Sequence, residues 1–490
     1  MASRNPARPN VLFILSDDQG FWALGCAGNR EIRTPNLDRL AHSGIRFDNF
    51  FCTSPVCSPA RASLMTGGIP SQHGVHDWVR VGSVGENRVD YLAGQTLVTD
   101  VVAADGYRCG LVGKWHLGAS DVPRPEFVTW FAHQSGMGPY YGAPMIEHGR
   151  PVVVAEYLSD ALAAHAIDFV RDEAPRSDPF WLYLTFTAPH YPWLDSHPKA
   201  FTDLYADCAF ESCPQEPPHP WFAGGKPAIE RGQRERRESL IGYFAAVSAM
   251  DAAIGRVLDE LDAQGLTEST LVVFMSDNGM NCGHHGIWGK GNGTRPQNMY
   301  DTSVKVPCIM SQPGRIAKAQ VSHAMLSGYD VFPTLLDYLD APHTPSRRMP
   351  GHSFRDVLDG HATPAGDAVV VYDEYGPVRM LRTAEWKYVH RYPDGPHELF
   401  DLVNDPGERH NRVDDASAAD TVAALRARLE DWFRLYVNPL RDGVDKGVTG
   451  CGQLGTIESA SPAHTVFADQ HLVGADWDLW LAPDGARPGR

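Results

Sequence analysis

Cysteine is scarce for a chain of this length: nine in 490 residues, an odd number, with no two in a CxxC arrangement. That excludes a disulfide framework and a cysteine-built zinc module. Long apolar runs are also missing, and none approaches the roughly 20 residues of a membrane-spanning helix. The N-terminal stretch MASRNPARPNVLFILSDDQG has basic residues, but its apolar run, Val11 to Leu15, ends at Ser16 and two aspartates. This is too short for the hydrophobic region of a signal peptide. The chain as it stands is therefore expected in the cytoplasm, and in the periplasm or outside the cell if a leader has been removed. Positive charge is in deficit, 43 Lys and Arg against 60 Asp and Glu for a net −17, and no basic cluster forms. Nucleic acid and membrane surfaces are thus not expected partners.

What is present is a rhythm of short apolar runs alternating with amphipathic stretches, which predicts an α/β fold with a large, mainly parallel central sheet flanked by helices. Candidate strands are Asn10 to Ser16, Arg108 to Gly113, Phe180 to Phe186 and Thr270 to Ser276. Helices are expected at TPNLDRLAHSG, with Thr34 as N-cap, Pro35 at the first position and Gly44 as stop, at AEYLSDALAAHAIDFVRDEA, and from Ser239 to Gly265. Residues 211–232, rich in Pro and Gly, read as a long surface loop. Beyond about residue 365 the pattern becomes alternating and aromatic, closed by a helical stretch from Asp420 to Leu435. The expected organisation is a catalytic unit over 1–364, a smaller antiparallel sheet with a packed helix over 365–440, and a wrapping tail over 441–490.

Three strands run straight into polar residues, DDQG, GKWHLG and DNG. Ligands of open α/β sheets bind at the carboxyl ends of strands. Asp17 and Asp18 after one strand and Asp277 and Asn278 after another can converge there on a hard divalent cation. All-oxygen ligation favours Ca²⁺, with Mg²⁺ as the alternative, over zinc. Taken singly, either pair reads equally well as strand-end turn formers or helix caps.

The order of motifs goes further. Cys57 to Arg61, CSPAR, fits Cys-x-Pro-x-Arg, and it is accompanied in order by SDDQG, GKWHLG, APHYPW, SDNG and GKGNG, with ELFDLVNDPGERHN near the C-terminus. Over roughly residues 8 to 412 the chain resembles the formylglycine-dependent sulfatases of the alkaline-phosphatase superfamily. The resemblance implies an alkaline-phosphatase-like sandwich, and a maturation partner, the formylglycine-generating enzyme, that oxidises the Cys57 thiol to an aldehyde. The hydrated aldehyde would attack sulfur with one hydroxyl and expel sulfate with the other. Asp17, Asp18, Asp277, Asn278 and the modified Cys57 would hold the cation, and Asp277 could also take the nucleophile's proton. Pro59 fits the first turn of a helix expected to start after Ser58, which would set the bound anion near a positive helix end, and Arg61 would steady the diol. Lys114 and His116, expected on one side of an extended segment, would stabilise the alkoxide and act as base for sulfate elimination. His190 and Lys290 would contact the sulfate and protonate the leaving oxygen.

After the lysine the sequence departs from the commoner pattern, with GNGTRPQNMYDTSVKVP in place of Gly-Thr-x-x-x-Glu-Gly. Asn292 and Arg295 are candidate substrate residues there, Arg295 for a carboxylate or second sulfate. His284 and His285 either line the pocket or pack the loop. His73, His76, Asp77 and Trp78 are candidate rim residues, with ordinary loop packing as the other reading. The expected activity is hydrolysis of a sulfate ester, that of a sulfated carbohydrate, to an alcohol and inorganic sulfate. A phosphonate monoester hydrolase or phosphodiesterase, and a non-catalytic sulfated-glycan-binding protein, are the alternatives. A sulfatase site in a cytoplasmic chain would suit small imported fragments rather than intact polymer.

Overall fold

The computed structural model describes residues 8–222, 227–344, 348–361, 366–373, 377–459 and 466–470. Its frame is a ten-stranded sheet. The strands are β1 (Asn10–Ser16), β2 (Ile45–Phe47), β3 (Arg108–Lys114), β4 (Phe127–His133), β5 (Ala143–Glu147), β6 (Arg150–Val154), β7 (Phe180–Thr185), β8 (Thr270–Ser276), β9 (Cys308–Ser311) and β10 (Gln320–Ser322). Their order is β10-β2-β9-β8-β1-β7-β3-β4-β5-β6. The five central strands, β8 to β4, run parallel, with Val11 opposite both Leu271 and Trp181. β5, β6 and β9 pair antiparallel with their neighbours. Parallel strands bury both faces, which is why β1 reads as an unbroken apolar run instead of an alternating one.

Helices cover both faces. Val11, Phe13 and Leu15 pack toward α2 (Cys57–Thr66) and a later helix over Gly328–Tyr338. Leu12 and Ile14 face α1 (Pro35–His42), α3 (Leu158–Glu173) and α5 (Arg236–Ala263), α4 being Pro227–Arg234. By length and composition α5 could cross a bilayer, but most of its apolar window is buried against the sheet, as suits the core helix of a globular chain. Four antiparallel strands come next, β11 (Ala368–Asp373), β12 (Val378–Thr383), β13 (Trp386–Arg391) and β14 (Glu398–Asp401). Alternation divides their residues. Val369, Val371, Met380 and Val389 join the main core, whereas Val370, Leu381, Tyr388 and Leu399 meet Leu425, Leu429 and Phe433 of the helix Ala419–Tyr436.

Three local expectations need correction. Residues 211–232 are not loop throughout, because α4 begins at Pro227, and Gly232 lies where a Cβ would meet the Trp288 indole at 2.6 Å. That glycine permits close packing and does not mark a turn. Thr34 is the N-cap of α1, as expected, although its hydroxyl serves Asp38 and the Gly25 amide and makes no cap bond. The stop of that helix falls at Ser43, one residue before Gly44. Helix α2 starts at Cys57 itself, with Val56 as N-cap. Pro59 is accepted in this first turn because N–H groups there have no helical partner. The expected boundary at 364/365 and the end of the tail lie outside the described residues.

Candidate active site

Because β1, β3, β7 and β8 are parallel, their carboxyl ends open on one edge of the sheet, and each delivers polar residues to it. β1 delivers Asp17 and Asp18, β8 delivers Asp277 and Asn278, β3 ends in Lys114, and the segment after β7 brings His190. All are buried or nearly so. Asp18 takes a left-handed backbone (φ 64), which is costly for a non-glycine residue. It is held there by its amide donating to Asp277 Oδ1 at 3.2 Å.

Cys57, the first residue of α2, meets this cluster. Its Sγ lies 3.2 Å from Asp17 Oδ1 and 3.7 Å from Asp18 Oδ1. Ligand atoms of Asp17, Asp18, Cys57 and Asp277 all fall within 4.8 Å of one another. Asn278 joins them through Nδ2, 2.8 Å from Asp18 Oδ1. Lys290 Nζ reaches Cys57 Sγ at 2.7 Å and also pairs with Asp18. Lys114 Nζ donates to Asp17 Oδ2 at 2.5 Å. Arg61, fully buried, donates from Nε to Asp277 at 2.9 Å and from Nη1 to the Lys114 carbonyl at 3.0 Å. Its Nη2, 3.8 Å from Asp17, has no hydrogen-bond partner among the described residues. Three carboxylates therefore face three permanent cations. The donor set is rich in carboxylate and amide oxygen, and a buried guanidinium N–H is left over for an incoming oxygen. These residues fit a hard divalent ion with an anionic ligand.

The electrostatics reflect this balance. Burial by itself would raise the Asp17 carboxyl, but Lys114, His190, Arg61 and Lys290 hold it well below the usual carboxylate range. Asp277 moves the other way, to about 6, through burial and the Asp17 charge, with Arg61 opposing. Burial, then Asp17, push the Cys57 thiol well up, so the unmodified side chain is a poor nucleophile. Burial, then Lys114 and Arg61, keep His116 well below the ordinary histidine value. It is neutral at physiological pH.

His116 does not lie on an extended segment with Lys114, because the chain turns sharply there (φ 58). Its Nε2 is 3.1 Å from the Val79 carbonyl. A carbonyl only accepts, so Nε2 carries the proton and Nδ1 keeps the lone pair. That Nδ1 is buried and has no partner among the described residues. The imidazole lies against Gly136, where a Cβ would come within 2.0 Å of Nε2. By the same logic His190 donates from Nδ1 to the Tyr191 carbonyl at 2.7 Å, and its Nε2 stands 3.6 Å from Asp18 Oδ2.

The expected pocket residues fare differently. Asn292 sits in the turn Gly291–Gly293 directly after Lys290. His285 is stacked on Tyr300 at 3.8 Å, its amide donating to Glu216, and burial and the nearby Arg409 take its pKa to about 3. Its neighbour His284 packs on Trp22 and bonds the Ser212 carbonyl, which is the loop-packing alternative. Arg295 donates to the Thr449 carbonyl at 2.8 Å and lies 2.7 Å from Cys451 Sγ, so the C-terminal tail reaches the Lys290 loop. His73, buried, bonds Ser63 Oγ at 3.1 Å, and buried Asp77 accepts from the Gly452 amide at 2.9 Å. Both brace the loop and neither forms an open rim. Trp78, half-buried, joins an apolar cluster with Val56, Val448, Ile457, Val466 and Phe467. Sequence reasoning missed the tail's share. Its only local signal was the glycine-rich GCGQLG, 450–455.

Fold and site together have the form of an α/β enzyme acting on an anionic group, with a buried cysteine at a helix start beside carboxylates that could hold a cation. Comparison with known proteins narrows that class. A family model described as Sulfatase matches residues 9–341, and one described as N-sulphoglucosamine sulphohydrolase, C-terminal, matches residues 283–434. The chain belongs to the sulfatase family of the alkaline-phosphatase superfamily and is a sulfuric ester hydrolase. It is 30% identical to human arylsulfatase A over 453 residues, covering 84% of each chain. It is 25% identical to an N-acetylglucosamine-6-O-sulfatase of Bacteroides thetaiotaomicron over 506 residues, covering 88% of this chain and 87% of that one. Its fold is shared, with a TM-score of 0.74 and 24% identity over 90% of this chain and all of the other, by a protein solved in complex with its substrate D-glucosamine-2-N,6-O-disulfate.

Proposed function

We propose that the protein removes sulfate from a sulfated carbohydrate of low molecular weight, using formylglycine made from Cys57 and a divalent cation, Ca²⁺ or Mg²⁺, held by Asp17, Asp18, Asp277, Asn278 and residue 57. The observation that carries the reading is the convergence on Cys57, at the start of α2, of three carboxylates, Asn278, Lys290 and Lys114. A thiol held protonated by burial and Asp17 would do no chemistry there, whereas the hydrated aldehyde is neutral and has two hydroxyls. The cation, when bound, neutralises charge on the sulfate oxygens and lowers the pKa of the attacking hydroxyl. The carbohydrate preference draws on the substrates that the relatives' names state.

Each side chain then has a task its surroundings allow. Asp277, raised to about 6, takes the proton of the attacking hydroxyl. Arg61 fixes Asp277 and has Nη2 left over for the diol or a sulfate oxygen. Lys290, charged and next to residue 57, meets the sulfate and the leaving oxygen. His190, whose Nε2 faces Asp18, protonates the alcohol from its imidazolium form, which burial disfavours and the Asp18 and Asp17 charges support. His116, neutral and with no partner for Nδ1 among the described residues, removes the proton of the second hydroxyl when sulfate departs, while Lys114 offsets the developing charge.

The test is mass spectrometry of the tryptic peptide Phe47 to Arg61 from protein coexpressed with the formylglycine-generating enzyme, followed by kcat/KM on 4-nitrophenyl sulfate, sulfated mono- and disaccharides, and an aryl phosphonate monoester. Aldehyde at position 57 with sulfate esters preferred is the expected result. An exclusively thiol peptide, given a working control, or a preference for the phosphonate, would overturn the reading.

A further inference from the structure

Residues 448–455 lie beyond both matched family ranges, yet they pack against loop 74–80, which touches His116 and the start of α2. Gln453 is fully buried and its side-chain amide is saturated. Oε1 accepts from the amides of His76 (2.9 Å) and Asp77 (3.3 Å), and Nε2 donates to the carbonyls of Gly74 and Gly455, each at 2.9 Å. Its backbone donates to the Trp78 carbonyl at 2.8 Å and accepts from Arg80 at 3.0 Å. Gly452, at φ 113, allows this approach, since a Cβ there would come within 2.7 Å of the Arg80 side chain. Loop 74–80 is thus held along its length by one residue of the tail. Between the two clamped ends sits Val79. Its N–H donates to Ser58 Oγ at 3.0 Å, beside Cys57, and its carbonyl receives the His116 Nε2 proton.

We propose that Gln453 is a positioning residue for the sulfatase reaction. By fixing loop 74–80 it sets the Val79 carbonyl, and that carbonyl sets both the tautomer and the direction of His116, leaving the lone pair on the buried Nδ1. The inference rests on the role of His116 as base given above. A general base loses most of its benefit when turned or moved by about 1 Å, roughly a hundredfold in rate. His116 acts on the breakdown of the sulfated intermediate, so slowing that step should lower kcat and KM together and leave kcat/KM, which reports the attack on sulfur, unchanged.

The experiment uses full-length protein matured at position 57, with formylglycine content measured for every variant and rates normalised to it. Gln453→Met keeps length and bulk and deletes all four side-chain hydrogen bonds. On 4-nitrophenyl sulfate, kcat should fall about 10- to 100-fold with a parallel fall in KM, so that kcat/KM is little changed. Gln453→Glu keeps the acceptor for His76 and Asp77 and loses the donors, so its loss should be smaller. If Gln453→Met does not fold, Gln453→Glu carries the same cycle. In a His116→Ala background neither substitution should lower kcat further, which a merely structural role would not produce. Losses that add to that of His116→Ala, losses found only in KM or in formylglycine content, or an unchanged kcat overturn the proposal. A His116→Ala enzyme with wild-type kcat would overturn the base assignment itself, and the route from Gln453 with it.

Discussion

Asp17→Asn separates what the buried charges do for stability from what they do for catalysis. Asp17 and Lys114 are both fully buried with 2.5 Å between Oδ2 and Nζ. At an effective dielectric of about 20 the gross attraction is about 7 kcal/mol, most of it offset by the desolvation of both groups. Removing one partner leaves the other charge buried without compensation, and the expected loss is about 3–5 kcal/mol. The asparagine is isosteric, so cavity effects do not enter. Lys114→Met should cost a similar amount for the same reason. The double variant Asp17→Asn/Lys114→Met restores charge balance and should recover most of the stability, with a coupling of about 2 kcal/mol or more. Catalysis should not recover, since a proposed cation ligand and the lysine are both gone. The assay is equilibrium urea denaturation in excess chelator, which removes any stabilisation by bound metal, beside turnover of 4-nitrophenyl sulfate in excess Ca²⁺. If Asp17→Asn lies within about 1 kcal/mol of wild type, the scale of an ordinary substitution, or if the double variant is no more stable than the singles, the buried pair does not carry the energy assigned to it.

Chelation should abolish turnover and added Ca²⁺ or Mg²⁺ restore it, and Asn278→Ala should raise the half-saturating metal concentration at least about tenfold in a metal titration. His116 is held below the usual histidine range, so its neutral form persists as pH falls, and the acid limb of the kcat profile should lie below about 6.5. An acid limb above that value that disappears in His116→Ala would refute the assignment. Asp330, accepting from the Ser327 and His352 amides, is raised by burial to about 7. The native state therefore holds this proton where the unfolded chain, titrating near 4, has released it. Its contribution is full below about 4 and is lost as pH rises through about 7. The difference in Tm between wild type and Asp330→Asn, measured from pH 4 to 8, should change with that sign.

Local pattern along the chain was enough for the strands and for setting four polar residues of the acidic cluster at one edge of the sheet. Buried parallel strands such as Val11 to Leu15 and Leu271 to Met275 are unbroken apolar runs, and the polar residues just after each run must emerge at one edge of the sheet. Asp17, Asp18, Asp277 and Asn278 were therefore legible without a structure. Cys57, Lys114, His190 and Lys290 were legible only through the order of motifs. The bonding partners of those residues were set by the packed fold. Arg61 was expected to steady the nucleophile, but its Nε spends itself on Asp277, 216 positions away. The histidine expected to line a pocket at position 285 is committed to Tyr300, and Arg295 to the tail. Gln453 and His76 meet across 377 positions. Periodicity and turn chemistry report on a residue's near neighbours along the chain, whereas a hydrogen bond between distant segments leaves no local trace and forms only once the whole core has set where each segment ends.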